Sequence, residues 1–174
     1  KSTDAGETWS EAMQINEVSG NCVDSDETTE GAVPTMGPNG EIYVAWSGPE
    51  GIVFDKSIDG GNTWLDEDIF INSQPGGWNY NIPGIYRANG LPITCCDISN
   101  SPNRGTIYVN WTDQRNGEDD TDVWLAKSTD GGNTWSDAIR VNDDHIDKQQ
   151  FFSWMTIDQK TGELLFVFYD RRHY

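Results

Sequence analysis

Apolar side chains alternate with others through three stretches, Ile42-Tyr43-Val44-Ala45-Trp46, Ile107-Tyr108-Val109-Asn110-Trp111 and Leu164-Leu165-Phe166-Val167-Phe168-Tyr169. Period two puts successive side chains on opposite faces, so each stretch predicts a β-strand, and the first two follow a glycine-containing turn. Shorter runs on either side complete a four-strand unit over residues 32–72, with strands near 33–36, 42–47, 52–57 and 69–72. A second unit over 91–142 repeats it, with strands near 92–98, 105–112, 122–128 and 138–142. Residues 1–16 read as the third-strand tail and fourth strand of a preceding unit, and 151–174 as the start of a following one. No stretch reaches the roughly 20 apolar residues of a membrane-spanning helix.

Between the third and fourth strand positions the same octapeptide recurs. Ser2-Thr3-Asp4-Ala5-Gly6-Glu7-Thr8-Trp9, Ser57-Ile58-Asp59-Gly60-Gly61-Asn62-Thr63-Trp64 and Ser128-Thr129-Asp130-Gly131-Gly132-Asn133-Thr134-Trp135 agree at Ser, Asp, Gly, Thr and Trp. The pattern has a mechanical reading. Asp4, Asp59 and Asp130 accept N–H bonds across a turn, Gly6, Gly61 and Gly132 supply positive φ, and Trp9, Trp64 and Trp135 bury a large face beside the hairpin. A reaction centre has no use for three identical copies, so these aspartates are read as structural. The second repeat interval is the longer, and its extra length falls in 72–90 and 113–122.

The three octapeptides and the strands around them resemble the BNR/Asp-box repeat family, which includes exo-α-sialidases, over nearly the whole chain. The resemblance implies an all-β fold, a β-propeller of four-stranded antiparallel blades. About three blade equivalents are present, in a single domain, and a complete ring would hold six or seven. Three blades are too few to close. Further chain segments or self-association would complete the ring. More narrowly, Asp113-Gln114-Arg115-Asn116-Gly117, Asp122-Val123-Trp124-Leu125, Arg140-Val141-Asn142, Phe151-Phe152-Ser153-Trp154-Met155 and Phe168-Tyr169-Asp170-Arg171-Arg172 look like sialidase-like propellers of Bacteroidetes-type secreted proteins.

In a four-strand meander the octapeptide turns share one end with the first-to-second turns. The long loops 72–90, 113–122 and 143–150, and the segment after Tyr169, collect at the other end, where binding sites on rigid scaffolds usually lie. There Asp113 with Arg115 closes one second strand, and Asp170 with Arg171 and Arg172 closes the next. Guanidinium forks match carboxylates, and a neighbouring Asp can serve as acid or base, so these five residues are the catalytic candidates for glycan hydrolysis. The alternative is that each acid pairs with an arginine to brace adjacent units. Trp78, Tyr80, Tyr86 and Arg87 are the substrate-binding candidates, since aromatic faces stack on sugar rings, or else they pin the long loop. Sialidases grip their substrate's carboxylate with three arginines and carry a Phe/Tyr-Arg-Ile-Pro signature. Here Tyr86-Arg87 begins that signature but Pro92 comes too late, so no catalytic residue transfers by position.

Charge narrows the partners. Net charge is −18, from 29 acidic and 11 basic side chains. Nucleic acid and anionic lipid would be repelled at long range. The resemblance implies a glycan or glycoprotein as partner and the cell exterior or surface as location. Glu118, Asp119, Asp120 and Asp122 offer several oxygens in one short loop, the chemistry of a calcium site, though not at EF-hand spacing; a solvated acidic loop is the alternative, and no other cofactor is expected. His145 and His173 are isolated, so zinc is not expected. Cys95 and Cys96 are adjacent and point to opposite sides of a strand. They read as reduced, partly buried thiols, with a bond between them or from one of them to Cys22 as alternatives.

Overall fold

The computed structural model describes residues 1–21, 27–145 and 147–174. The fold is all-β. β1 (Glu30–Met36), β2 (Ile42–Gly48), β3 (Gly51–Ser57) and β4 (Ile69–Asn72) form one antiparallel sheet in sequence order. β5 (Asn79–Ile82) and β6 (Ile85–Asn89) make a separate hairpin. β7 (Ile93–Cys96), β8 (Ile107–Asp113), β9 (Asp122–Ser128) and β10 (Ile139–Arg140) form a second four-stranded meander, and β11 (Gln150–Ile157) pairs with β12 (Leu164–Asp170). Among the described residues all pairings are antiparallel, no sheet closes on itself, and β12 bonds on one flank only.

The two meanders superpose in register: β2 and β3 match Ile42 with Ser57 and Gly48 with Gly51, while β8 and β9 match Ile107 with Ser128 and Asp113 with Asp122. The predicted strands lie close to these bounds, with two differences. Residues 9–16 form no strand, because the described chain offers them no third strand to pair with; Ile15 packs instead on Val44, Trp46 and Val53 of the first sheet. Residues 79–89, read as loop, are a hairpin turning at Pro83-Gly84.

Cores lie between sheets. Ile52 and Phe54 of the first sheet meet Val109, Trp111 and Ala126 of the second, and Trp111 and Phe54 are fully buried. Each such side chain contributes on the order of 2–3 kcal/mol. On its other face the second sheet packs Ile93, Tyr108 and Leu125 against Met155 and Ile157 of β11. β1 runs beside β7, and β11 beside β7 and β8, so the leading strands of successive units are neighbours.

The three corners share one construction. The N–H and hydroxyl of Thr63 donate to Asp59 at 2.9 and 2.8 Å, and the same pair on Thr134 donates to Asp130 at 3.0 and 2.6 Å. Thr8 repeats both bonds to Asp4 at 2.9 and 2.5 Å. These donors hold all three carboxyls well below the usual range, Asp4 to about 2 with the Thr8 hydroxyl as the largest cause. Two consecutive residues take positive φ in each corner, Gly60-Gly61 and Gly131-Gly132 in two of them and Ala5-Gly6 in the first. Trp135 packs edge-on against Phe54 of the preceding sheet at 5.1 Å, Trp64 lies over the first sheet, and Trp9 is 73% exposed. Trp64 and Trp135 are thus half-buried, while Trp9 stands in solvent.

Corners are also tied forward. Lys56, just ahead of its own corner, donates to the Gly131 carbonyl and the Asn133 side chain of the next, both at 2.7 Å. Lys1 reaches Gly60 and Asn62 in the same manner, at 3.1 and 2.5 Å.

Cys95 is half-buried and Cys96 buried, both as free thiols, and burial pushes their pKa values up to about 11 and about 12. Cys22 lies outside the described residues.

Candidate functional site

The end of the sheets opposite the corners gathers the β5–β6 hairpin, the loop between β8 and β9, the segment after β10 and the exit of β12. Asp113, the last residue of β8, is fully buried. It accepts from the Trp111 indole at 2.8 Å and from Arg115 at 2.6 Å (Nη2) and 3.0 Å (Nε). The Arg115 guanidinium lies 4.1 Å from the Trp124 ring centroid and donates to Asn72 at 2.9 Å, at the end of β4 in the neighbouring sheet. A buried carboxylate, a stacked guanidinium and a bond to the next sheet make an inter-sheet clasp.

A more exposed pair, without the stacked ring, stands one unit later. Arg172 binds Asp170 through Nε at 2.5 Å and reaches Asp143, just beyond β10, at 2.8 Å. Burial opposes ionisation of Asp170, yet donors from Arg172 and Gln150 hold its carboxyl below the ordinary value. Asn72 and Asp143 are equivalent partners that the sequence reading missed; their signal was their position, at or just after the Asn that ends each fourth-strand segment. Arg171 points elsewhere and donates to the Pro83 carbonyl of the hairpin turn. Of the five catalytic candidates, the structure thus joins Asp113 to Arg115 and Asp170 to Arg172 as two separate braces.

The substrate-binding candidates divide. Trp78 and Tyr80 are buried, with the Tyr80 hydroxyl bonded to Thr112 and to the Asn89 carbonyl, so they seat the hairpin. Arg87 lies 5.4 Å over the Trp78 ring. Tyr86 alone is fully exposed, at the surface of the hairpin.

The acidic loop divides as well. Asp122 is fully buried and accepts from Asn116 at 2.6 Å and Asn142 at 2.5 Å, with Arg140 at 3.5 Å. Burial raises the Asp120 carboxyl, helped by the charges of Asp122, Asp147 and Asp144. Glu118 and Asp119 instead face a cleft of about 470 Å³ between this loop and the β5–β6 hairpin, with Asn79, Asn81, Gln114 and Pro83 also on its walls. Among the described residues, no three His, Cys, Asp or Glu side chains are grouped so as to hold a metal ion. No described helix is long and apolar enough to cross a membrane.

Beside the hairpin, Phe151 packs under Tyr80 and Ile82 and stacks on Tyr169 at 5.6 Å. The next residue, Phe152, sits in a bulge of β11 with φ of 51° and meets Tyr169 edge-on at 6.1 Å. A bulky residue at positive φ is strained, and such strain gathers at functional sites. Comparison with family models and with curated proteins found no match to this chain.

Proposed function

We propose that this chain is part of an extracellular Asp-box propeller that binds glycans through the loop-bearing end of its blades, without hydrolysing them. The observation that carries the reading is the contrast between the two sets of groups at that end. The acids and guanidiniums suited to catalysis are consumed in clasps between sheets, where Asp113 is out of reach of any substrate. What remains open to solvent is a polar cleft walled by Asn79, Asn81, Gln114, Glu118 and Asp119, and, elsewhere on the hairpin and the β11–β12 pair, the exposed rings of Tyr86, Phe152 and Tyr169. Amide and carboxylate side chains beside aromatic faces are the means by which sugars are held without chemistry. Antiparallel four-strand meanders with adjacent leading strands and repeated corners support the propeller arrangement.

A glycan array probed with the full chain, run beside a turnover assay on fluorogenic glycosides, tests the reading. Binding without turnover, weakened by joint Glu118→Ala and Asp119→Ala substitution, is the expected result. Release of the fluorophore would replace it with the glycosidase reading, and an array without signal would remove both.

A further inference from the structure

The bulge at the start of β11 has a counterpart in β1. Val33 faces Ala45 and Trp154 faces Val167 at equivalent ladder positions, and in both strands the register slips just before them. Two residues upstream stand Gly31 at φ of 75° and Phe152 at φ of 51°. One repeat thus fills a left-handed position with the residue that adopts it without cost, and the other fills it with one of the least suited. Phe152 meets the Phe151 and Tyr169 rings edge-on at 5.3 and 6.1 Å yet keeps 38% of its surface open, while Phe151 fills the core position beneath the hairpin.

We propose that Phe152 is held in this strained conformation as a stacking platform for a sugar ring, with Tyr169 as its support, and that the sugar is neutral. The inference rests on the glycan-binding reading above and names its ligand class. Neutrality follows from the charges at this end. Arg115, Arg140, Arg171 and Arg172 are engaged by Asp113, the Asp144 carbonyl, the Pro83 carbonyl and Asp170, and Arg87 is stacked on Trp78. Lys148 stands in a segment with Asp143, Asp144 and Asp147, and the cleft wall adds Glu118 and Asp119. A carboxylated sugar would find fixed acids in excess, with Arg115 and Arg172 already paired to carboxylates. A hydroxyl-rich one finds amide donors, carboxylate acceptors and an apolar face.

The test uses the full chain on an array holding neutral and sialylated glycans, with Phe152→Gly, Phe152→Asn and Phe152→Tyr as variants. Gly and Asn both tolerate positive φ, and that relief offsets the lost ring contacts, so each should stay folded while weakening binding to neutral glycans at least tenfold; Tyr should retain it. Binding kept by either the Gly or the Asn variant would overturn the role of Phe152. Preference for sialylated glycans would overturn the ligand class and leave the glycan reading standing, and an array without any signal would overturn both.

Discussion

The ammonium of Lys56 lies 2.7 Å from the carbonyl oxygen of Gly131, 75 residues further along the chain. It spans two sheets that share an apolar core cluster, and it satisfies an acceptor inside a turn of two left-handed residues. Lys56→Met is expected to cost about 1.5 kcal/mol, at the low end for a charged hydrogen bond because the site is half open to water. Lys127 occupies the same place before the third corner and is exposed, so Lys127→Met should be near neutral. Paired urea titrations of the two variants compare them.

Removing Arg115 should be costlier than removing any lysine. Arg115→Ala leaves the Asp113 carboxylate fully buried with only the Trp111 indole and a backbone N–H as donors. Stripping one partner from a buried pair costs about 3–5 kcal/mol. The double variant Asp113→Asn with Arg115→Leu should be milder, because no charge is then stranded. Equilibrium unfolding of the single and double variants separates these effects.

Gly61 and Gly132 hold the same place in two corners, yet their surroundings differ. A Cβ on Gly132 would meet a Phe54 ring atom at 2.2 Å, whereas on Gly61 the nearest neighbour is an Ile42 methyl at 3.5 Å. Both alanine variants carry the backbone strain of positive φ, but only Gly132→Ala also overpacks a core, which adds about 1–3 kcal/mol. Thermal melts should therefore rank Gly132→Ala well below Gly61→Ala.

Two sets of carboxyls give opposite pH responses. Burial, then the nearby charge of Glu17, raises Asp68 to about 7, so between the ordinary carboxylate pKa and 7 the folded state holds a proton that the unfolded chain has released. Stability from this site falls as pH rises through that window, and Asp68→Asn should raise the melting point at pH 8 but not at pH 4. Asp4, Asp59 and Asp130 are depressed, so their contribution is present above the ordinary pKa and lost as pH falls toward 2. Melting curves from pH 2 to 8 should show an acid collapse that Asp68→Asn does not prevent.

Strands, turns and the Asp and Gly roles in the corners were legible in the residues because period two, glycine and an Asp ahead of a turn are local signals, whereas the Thr hydroxyl bonds emerge only from the structure. The β5–β6 hairpin was missed, because the asparagines around its Pro83-Gly84 turn mask the alternation. The candidate site was half legible. Repetition of Asp113 with Arg115 and Asp170 with Arg172 pointed to bracing, but their partners Asn72 and Asp143 belong to neighbouring sheets and emerge only with packing. Phe152 could not be singled out from sequence, since its positive φ depends on a slip in strand register that only pairing reveals.

The one-sided bonding of β12 carries a practical consequence. Leu165, Val167 and Tyr169 stand out from a strand whose outer row of amides and carbonyls has no neighbouring strand among the described residues. Such a flank templates any extended peptide that drifts against it, so the isolated chain should turn cloudy when concentrated, and a lysine in place of Val167 should keep it dispersed.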